Sequence, residues 1–169
     1  MKITEHFDSS EFDCKCGCGK ANISKALVTK LEELYQYLSK LDTGVKCIVV
    51  TSGFRCPSYS VKVGGYSSDA HTQNIAADII CYRKDGSVYD VKTIAAIAEY
   101  LGFSGIGLMS GATHLDIRNK NNYINSHWFG DELTGENNIP TFKEYLPKVK
   151  TSEELIITLG GKKYKITEV

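Results

Sequence analysis

The fold of this chain depends on one stretch, Ile75-Ala76-Ala77-Asp78-Ile79-Ile80-Cys81, in which a single carboxylate interrupts an apolar run. A short apolar run bounded by polar segments predicts a buried β-strand. A charged carboxylate is costly to bury unless it is paired or bound to a metal ion. Asp78 therefore needs a partner, which is either a basic side chain or a metal.

Two histidines are candidates for a shared site with Asp78. His71 precedes the strand in a loop that can fold back toward it. In His114-Leu115-Asp116-Ile117, the alternation of a strand sends His114 and Asp116 to one face and the apolar side chains to the other. A lone histidine is usually a core or surface residue, but two imidazoles and a misplaced carboxylate are typical of a zinc site with an open fourth position. The pattern predicts one zinc ion bound by His71, Asp78 and His114.

The segments around these residues predict an α+β fold. One amphipathic helix is expected after the N-cap Ser24 and a second after the N-cap Asp90. Strands are predicted at 45–51, 75–81, 106–108 and 114–118, a loop at 57–69 and a short helix at 142–146. Few strands, long loops and two main helices indicate a small, mainly antiparallel sheet flanked by helices, with the zinc site on the sheet.

The two ends of the chain differ from its middle. The N-terminal arm is irregular and is expected to reach the core through Phe7 and Phe12. Near the other end, two strand patterns separated by Gly160-Gly161 predict a β-hairpin. We expect one catalytic domain over residues 1–147 and a hairpin over 148–169 that packs on the same domain. A separate module is the alternative for the hairpin.

The composition excludes several classes of protein. A chain of 169 residues with 42% hydrophobic residues can bury one core. Its 20 basic and 20 acidic residues cancel, whereas binders of nucleic acid or membrane surfaces rely on clustered positive charge. The sequence has no apolar run long enough to span a membrane and begins without the apolar segment of a secretory signal. We expect a monomer without nucleic-acid or membrane partners.

Six cysteines are many for a chain of this length. Three lie in Cys14-Lys15-Cys16-Gly17-Cys18, Cys56 lies in a turn, and Cys47 and Cys81 lie in strand patterns. Disulfides, free thiols and a second metal site all remain open, because sequence cannot choose a connectivity and the C-x-C-x-C spacing is tighter than that of common zinc motifs. Cys47 and Cys81 are expected as small core residues.

Four motifs occur in a characteristic order: Ser52-Gly53-Phe54-Arg55, Val63-Gly64-Gly65, His71 to Asp78, and His114-Leu115-Asp116. This series resembles the M15 zinc peptidases, which have S-G-Y-R, V-G-G, S-x-H-x-x-G-x-A-x-D and H-x-D. That family comprises D-Ala-D-Ala carboxypeptidases and related peptidoglycan endopeptidases, including phage endolysins. The resemblance covers roughly residues 7–130 and implies a fold like that of hedgehog and the D-Ala-D-Ala peptidases.

The resemblance implies the same three zinc ligands and adds Arg55 beside the scissile carbonyl. A guanidinium is always charged and can stabilise the developing oxyanion, although an ordinary salt bridge is the alternative for Arg55. Two positions depart from the family pattern: Asp69 replaces a serine and Asn74 replaces a glycine. Asparagine tolerates the left-handed conformation, so the turn can survive. Asp69 is expected to support His71.

The general base is the assignment that the resemblance leaves open. Several M15 peptidases place a glutamate three residues before the last histidine ligand, and that position is Gly111 here. Asp116, on the same strand face as His114, is the candidate substitute. Its other possible role is to hold His114 from behind.

The resemblance predicts a zinc metallopeptidase that hydrolyses an amide bond in peptidoglycan stem peptides, as a D-Ala-D-Ala carboxypeptidase or an endopeptidase. In that reaction a zinc-bound water attacks the carbonyl. Trp128 is an additional candidate for contact with peptide or sugar. Because no signal is seen, an endolysin-like enzyme released to the bacterial cell wall is expected. The alternative is a catalytically inactive zinc-containing module of the same fold that binds the cell wall or another protein.

Overall fold

The computed structural model describes residues 1–119, 127–130, 139 and 141–148, together with the backbone of strands at 155–159 and 162–166. Three α-helices are α1 (Lys25–Ser39), α2 (Pro57–Lys62) and α3 (Val91–Tyr100). The strands are β1 (Val45–Ser52), β2 (Ala76–Arg83), β3 (Gly105–Leu108), β4 (Thr113–Asp116), β5 (His127–Phe129), β6 (Leu155–Leu159) and β7 (Lys162–Ile166). In the described part of the chain, 3-10 turns lie at Ser9–Phe12 and Lys143–Tyr145.

Strands β1 to β5 form one sheet in the order β1-β2-β4-β3-β5. The pairs β1–β2, β2–β4 and β3–β4 are antiparallel, and β3–β5 is parallel. The prediction of an α+β fold with a mainly antiparallel sheet is therefore confirmed. Strand β5 is a difference, because it was not among the predicted strands.

Helices α1 and α3 pack on the sheet through apolar stripes. Helix α1 lies against β1, and α3 lies against β3 and β4. The leucine stripe of α1 is fully buried and comprises Leu27, Leu31, Leu34 and Leu38. Asp90 caps α3 as predicted, since its carboxylate accepts hydrogen bonds from the backbone N–H groups of Lys92 and Thr93. The two helices thus seal one face of the sheet and leave the other for the site.

The N-terminal arm is held in the core by the two predicted anchors. Phe7 and Phe12 are 0% and 1% exposed. The backbone of the arm also contacts the end of β1, because Phe54 N–H donates to the Phe12 carbonyl at 2.8 Å. The N-terminal arm therefore packs beside the end of β1.

Two local expectations were wrong. Residues 57–62 form helix α2 rather than a loop. Pro57 is favourable at the first position of a helix, but the serines and tyrosines that follow it are also common in loops. The expected helix at 142–146 is a single 3-10 turn. None of the six cysteines forms a disulfide in the structure, so free thiols and a second metal site are the alternatives that remain. Cys81 is a core residue as expected, whereas Cys47 is half-buried.

Strands β6 and β7 form the predicted hairpin as an antiparallel two-stranded sheet of their own. The Gly160-Gly161 turn lies outside the described residues. Packing of the hairpin on the domain 1–147 stays a prediction. Among the described residues, the helices are too short or too polar to cross a membrane.

Candidate metal centre

One row of residues runs across the five-stranded sheet. In the strand register Ser52 pairs with Asp78, Asp78 with His114, His114 with Gly107, and Gly107 with Trp128. Side chains directly opposite one another on neighbouring strands lie on the same face. The antiparallel β2–β4 pair therefore brings Asp78 and His114 together although 36 residues separate them. His71 joins this row from the loop that precedes β2.

Three ligand atoms meet at one point. His71 Nε2 lies 3.1 Å from His114 Nδ1, and Asp78 Oδ1 lies 2.9 Å from His114 Nδ1 and 3.3 Å from His71 Nε2. A tetrahedron with metal–ligand bonds of about 2.0 Å has edges of about 3.3 Å. The three atoms thus form a triangle close in size to one face of a tetrahedral zinc site. All three residues are buried, with 3%, 5% and 8% exposure for His71, Asp78 and His114.

Each histidine uses its other nitrogen to bind the protein. His71 Nδ1 donates to the Gly53 carbonyl at 2.7 Å, and His114 Nε2 donates to Asp116 Oδ2 at 3.0 Å. A carbonyl and a carboxylate only accept, so in the neutral rings the protons lie on these outer nitrogens. The inner nitrogens then carry lone pairs directed at the triangle. This donor set fits a zinc ion.

The pKa values of Asp78 and His114 reflect the short distances between the charged groups of the centre. Burial would raise the pKa of Asp78, but hydrogen bonds from His114 and His71 and their positive charge outweigh burial and hold that pKa well below its ordinary value. Burial would lower the pKa of His114, but hydrogen bonds to Asp116 and Asp78 raise it to about 9. Asp78 is therefore a carboxylate over the whole neutral range.

Arg55 contacts the centre through Asp78. Its guanidinium pairs with Asp78 Oδ2, and its Nε donates to Ser52 Oγ at 2.8 Å. Asp78 thus presents one carboxylate oxygen to the histidines and the other to Arg55. Arg55 therefore forms a salt bridge, and its partner is the candidate ligand itself, whereas its role beside the scissile carbonyl stays a prediction.

Asp116 lies behind His114, away from the triangle. It is 0% exposed and pairs with Arg118, whose Nη2 lies 2.6 Å from Asp116 Oδ2. Burial would raise the pKa of Asp116, but its bonds to His114 and Arg118 lower it to about 2. Both carboxylate oxygens are therefore occupied. Of the two roles open for Asp116, the geometry favours orienting His114 over accepting a proton from water.

Two glycines of β3 make room for this support. A Cβ on Gly105 would come within 2.3 Å of an Asp116 carboxylate oxygen, and a Cβ on Gly107 within 2.5 Å of the Trp128 ring. Trp128 is 4% exposed and packs 5.3 Å from the His114 ring, measured between centroids. Trp128 thus lines the centre, and too little of its ring is exposed for it to stack on a sugar.

The loop before β2 takes its shape from the two positions that depart from the family pattern. Asn74 has a φ of 65°, so it occupies the left-handed conformation as expected. Asp69 does not contact His71; its carboxylate accepts from Thr72 N–H at 2.9 Å and from the Ser60 hydroxyl. The expectation that Asp69 supports His71 was wrong, because the Gly53 carbonyl takes that place.

Sequence analysis missed Arg118, Gly53 and Gly105 as supports of the site. A signal existed for Arg118, since it follows Asp116 at a spacing of two, which places both side chains on the same face of an extended segment. The close contact of Gly53 was harder to find: a Cβ there would lie 2.5 Å from Phe12 Cα, a contact between distant segments. Gly111 is exposed and carries no group that could act as a base.

The site contains two buried imidazoles and a buried carboxylate, and the outer nitrogen of each imidazole is hydrogen-bonded to the protein. Such a ligand set is typical of proteins with a hydrolytic metal centre. Residues 5–116, about two thirds of the chain, match the family model described as Peptidase M15. The chain therefore belongs to the M15 peptidase family, whose members are zinc-dependent metallopeptidases. No curated protein matches the chain.

Proposed function

We propose that this protein is an active peptidase with one catalytic zinc ion bound by His71, Asp78 and His114. The observation that carries the proposal is the triangle of ligand atoms, 2.9 to 3.3 Å on a side, with each histidine oriented by a separate partner. A zinc ion held by three protein ligands polarises a carbonyl and lowers the pKa of a water molecule in its open position.

The residues around the proposed ion have separate roles. The Gly53 carbonyl and Asp116 hold the two imidazoles in the tautomers that a metal requires. Arg55 orients Asp78 and keeps a fixed positive charge at the edge of the centre. We propose that this charge also stabilises the negative charge that develops on the scissile carbonyl oxygen.

The proposed substrate is the stem peptide of bacterial peptidoglycan, cleaved by a carboxypeptidase or endopeptidase reaction. Family membership supports a peptide substrate. The motif series from Ser52 to Asp116 resembles enzymes of peptidoglycan and supports the narrower choice. We further propose that the protein works as a monomer at the cell wall in the manner of an endolysin. A net charge of zero fits a protein without a nucleic-acid partner.

The test is digestion of purified peptidoglycan by the zinc-loaded protein, followed by mass spectrometry of the soluble and insoluble fragments. We expect new peptide termini in the zinc-loaded sample, their loss after treatment with a chelator, and their return when zinc is added. The variant His71→Ala should be inactive, with Gln73→Ala, at an exposed position, as a matched control in the same loop. Intact peptides despite bound zinc would contradict the proposal.

A catalytically inactive cell-wall module is the second candidate, and one observation favours it. Asp116 is fully buried and engaged, and Gly111 carries no carboxylate, so neither supplies an obvious base. This alternative predicts zinc-dependent co-sedimentation with insoluble peptidoglycan and no change in the fragment masses. The same digestion samples distinguish the two functions.

A further inference from the structure

A second group of metal-binding side chains lies outside the histidine centre. The thiols of Cys14, Cys16, Cys18 and Cys56 come from two segments that are 38 residues apart between Cys18 and Cys56. All four sulphur atoms lie within 4.8 Å of one another. Cys14 and Cys56 are buried, and Cys16 and Cys18 are exposed. Of the six cysteines, only the two in the sheet are outside this cluster.

The sulphur spacing resembles a tetrahedron of thiolates. Cys14 Sγ and Cys16 Sγ are 3.3 Å apart, and Cys16 Sγ and Cys56 Sγ are 3.7 Å apart. Zinc–sulphur bonds of about 2.3 Å give tetrahedral edges of about 3.8 Å, whereas a disulfide bond is only about 2.05 Å long. The spacing is thus far too long for a disulfide and close to that of four ligands around one ion.

The backbone wraps around this cluster. Cys14 N–H donates to the Lys20 carbonyl at 3.1 Å, which closes the segment that contains all three N-terminal cysteines. Gly17 has a φ of 78°, a left-handed conformation that turns the chain between Cys16 and Cys18. The Cys56 N–H points at Cys14 Sγ from 3.4 Å, the type of contact that stabilises a thiolate.

We propose that Cys14, Cys16, Cys18 and Cys56 bind a second, structural zinc ion. Four thiolates form a closed ligand set that leaves no position for substrate, which separates this ion from the one held by the histidines. Tetrahedral sulphur coordination is also suited to iron, so the identity of the metal is one of the points that the experiment decides. The thiols lose their protons to solvent when the metal binds.

The proposed ion would link the N-terminal arm to the turn at residues 53–56, which supports the histidine centre. Cys56 directly follows Arg55, whose guanidinium pairs with Asp78. The same turn contains Gly53, whose carbonyl orients His71. The arm, which has no regular secondary structure from residue 13 to residue 23, is thereby cross-linked to this turn. A zinc ion here would hold the supports of the histidine centre in position.

The test compares metal content and metal ligands in the full-length protein after loading with zinc under reducing conditions and removal of the excess. We expect about two zinc ions per chain in the wild type, and X-ray absorption should reveal both a sulphur shell near 2.3 Å and a nitrogen or oxygen shell near 2.0 Å. The double variant Cys16→Ser, Cys18→Ser should retain about one ion without the sulphur shell. His71→Ala, His114→Ala should retain about one ion with the sulphur shell.

Cys47→Ser is the matched control, since this thiol is outside the cluster and the variant should keep both ions. Alkylation of the native wild type gives a measurement that does not depend on variant folding: zinc should protect Cys16 and Cys18, the two exposed thiols of the cluster. Failure of the peptidase proposal alone would remove activity and leave this protection intact. The second-site proposal is overturned by a wild type without a sulphur shell, by a disulfide within the cluster, or by iron in place of zinc.

Discussion

Each histidine of the metal centre binds the protein through one ring nitrogen and faces Asp78 through the other. His71 is fixed by a backbone carbonyl and His114 by a buried carboxylate that is itself neutralised by Arg118. The consequence is that the inner nitrogens face the triangle before any metal arrives, and His114 releases the proton on its inner nitrogen when the metal binds. Preorganisation of this kind reduces the conformational cost of metal binding.

The substitution Asp116→Asn tests the role of the carboxylate behind His114. We expect the affinity for zinc to fall by about 10- to 100-fold, because His114 loses its charged hydrogen-bond acceptor. Peptidase activity should return in part when zinc is raised to saturation. Activity should be titrated against free zinc for both proteins. Loss of activity at every zinc concentration, with unchanged affinity, would instead identify Asp116 as the general base.

The raised pKa of His114, about 9 in the metal-free protein, predicts that zinc binding depends on pH. Only the unprotonated ring can bind metal, so below pH 9 a proton must leave first. This proton alone should weaken zinc binding by about tenfold for each unit of pH below 9, and the dependence should vanish above it.

Chelator competition over a pH series measures this dependence. The Cys16→Ser, Cys18→Ser double variant is the suitable protein, because it removes the proton release of the proposed thiolate site. Calorimetry in buffers of different ionisation enthalpy gives the number of protons released. Zinc affinity that stays constant between about pH 6 and pH 8 would show that His114 is already neutral in the metal-free protein.

At the scale of elements, the site depends on which strands are neighbours. Strand β2 lies between β1 and β4, so Asp78 faces Ser52 on one side and His114 on the other. Strand β3 then passes beneath Asp116 and Trp128, which is possible because its two glycines carry no side chain. The sheet therefore supplies both the ligands and the space for their supports.

Gly105→Ala tests this use of space in β3. The added Cβ would meet the Asp116 carboxylate and Arg118, so we expect a loss of about 1–3 kcal/mol of stability together with weaker zinc binding. The measurements are urea unfolding and zinc affinity. Gly86→Ala is the control, because its Cβ meets no atom within 4 Å and its φ of 87° adds backbone strain alone. Equal zinc affinity in the Gly105→Ala protein would refute the argument.

At the scale of the molecule, the residues of the two centres lie between Cys14 and Arg118. The family match ends at residue 116, within this span. The C-terminal hairpin pairs only with itself among the described strands. The catalytic role proposed for residues 1–147 therefore does not require the hairpin, whereas the proposed packing of the hairpin would add to stability.

Removal of residues 148–169 separates these two contributions. We expect the shortened protein to bind zinc and cleave peptidoglycan as the full-length protein does, because no residue of either centre is removed. Its Tm should be lower if the hairpin packs on the domain, since apolar surface would be uncovered. Thermal unfolding and the digestion assay measure the two effects. An unchanged Tm would argue that the hairpin is a separate unit.

Periodicity and local chemistry in the sequence were sufficient for much of the fold. The leucine stripe predicted α1, Asp90 predicted the start of α3, and the apolar run around Asp78 predicted β2. These features depend only on residues that are close together in the chain, so they can be recognised in a single sequence. Strand β5 could not be predicted, because its three residues become a strand only by pairing with β3.

For the site, the sequence by itself determined the types of ligand and their order, namely an imidazole, a carboxylate and a second imidazole, preceded by an arginine that is not a ligand. Only the tertiary structure decided that Asp116 faces Arg118 behind His114, that the Gly53 carbonyl orients His71, and that Cys56 meets the N-terminal cysteines. The physical reason is that ligand chemistry belongs to single side chains. Orientation belongs to contacts between distant segments, which exist only once the sheet has formed.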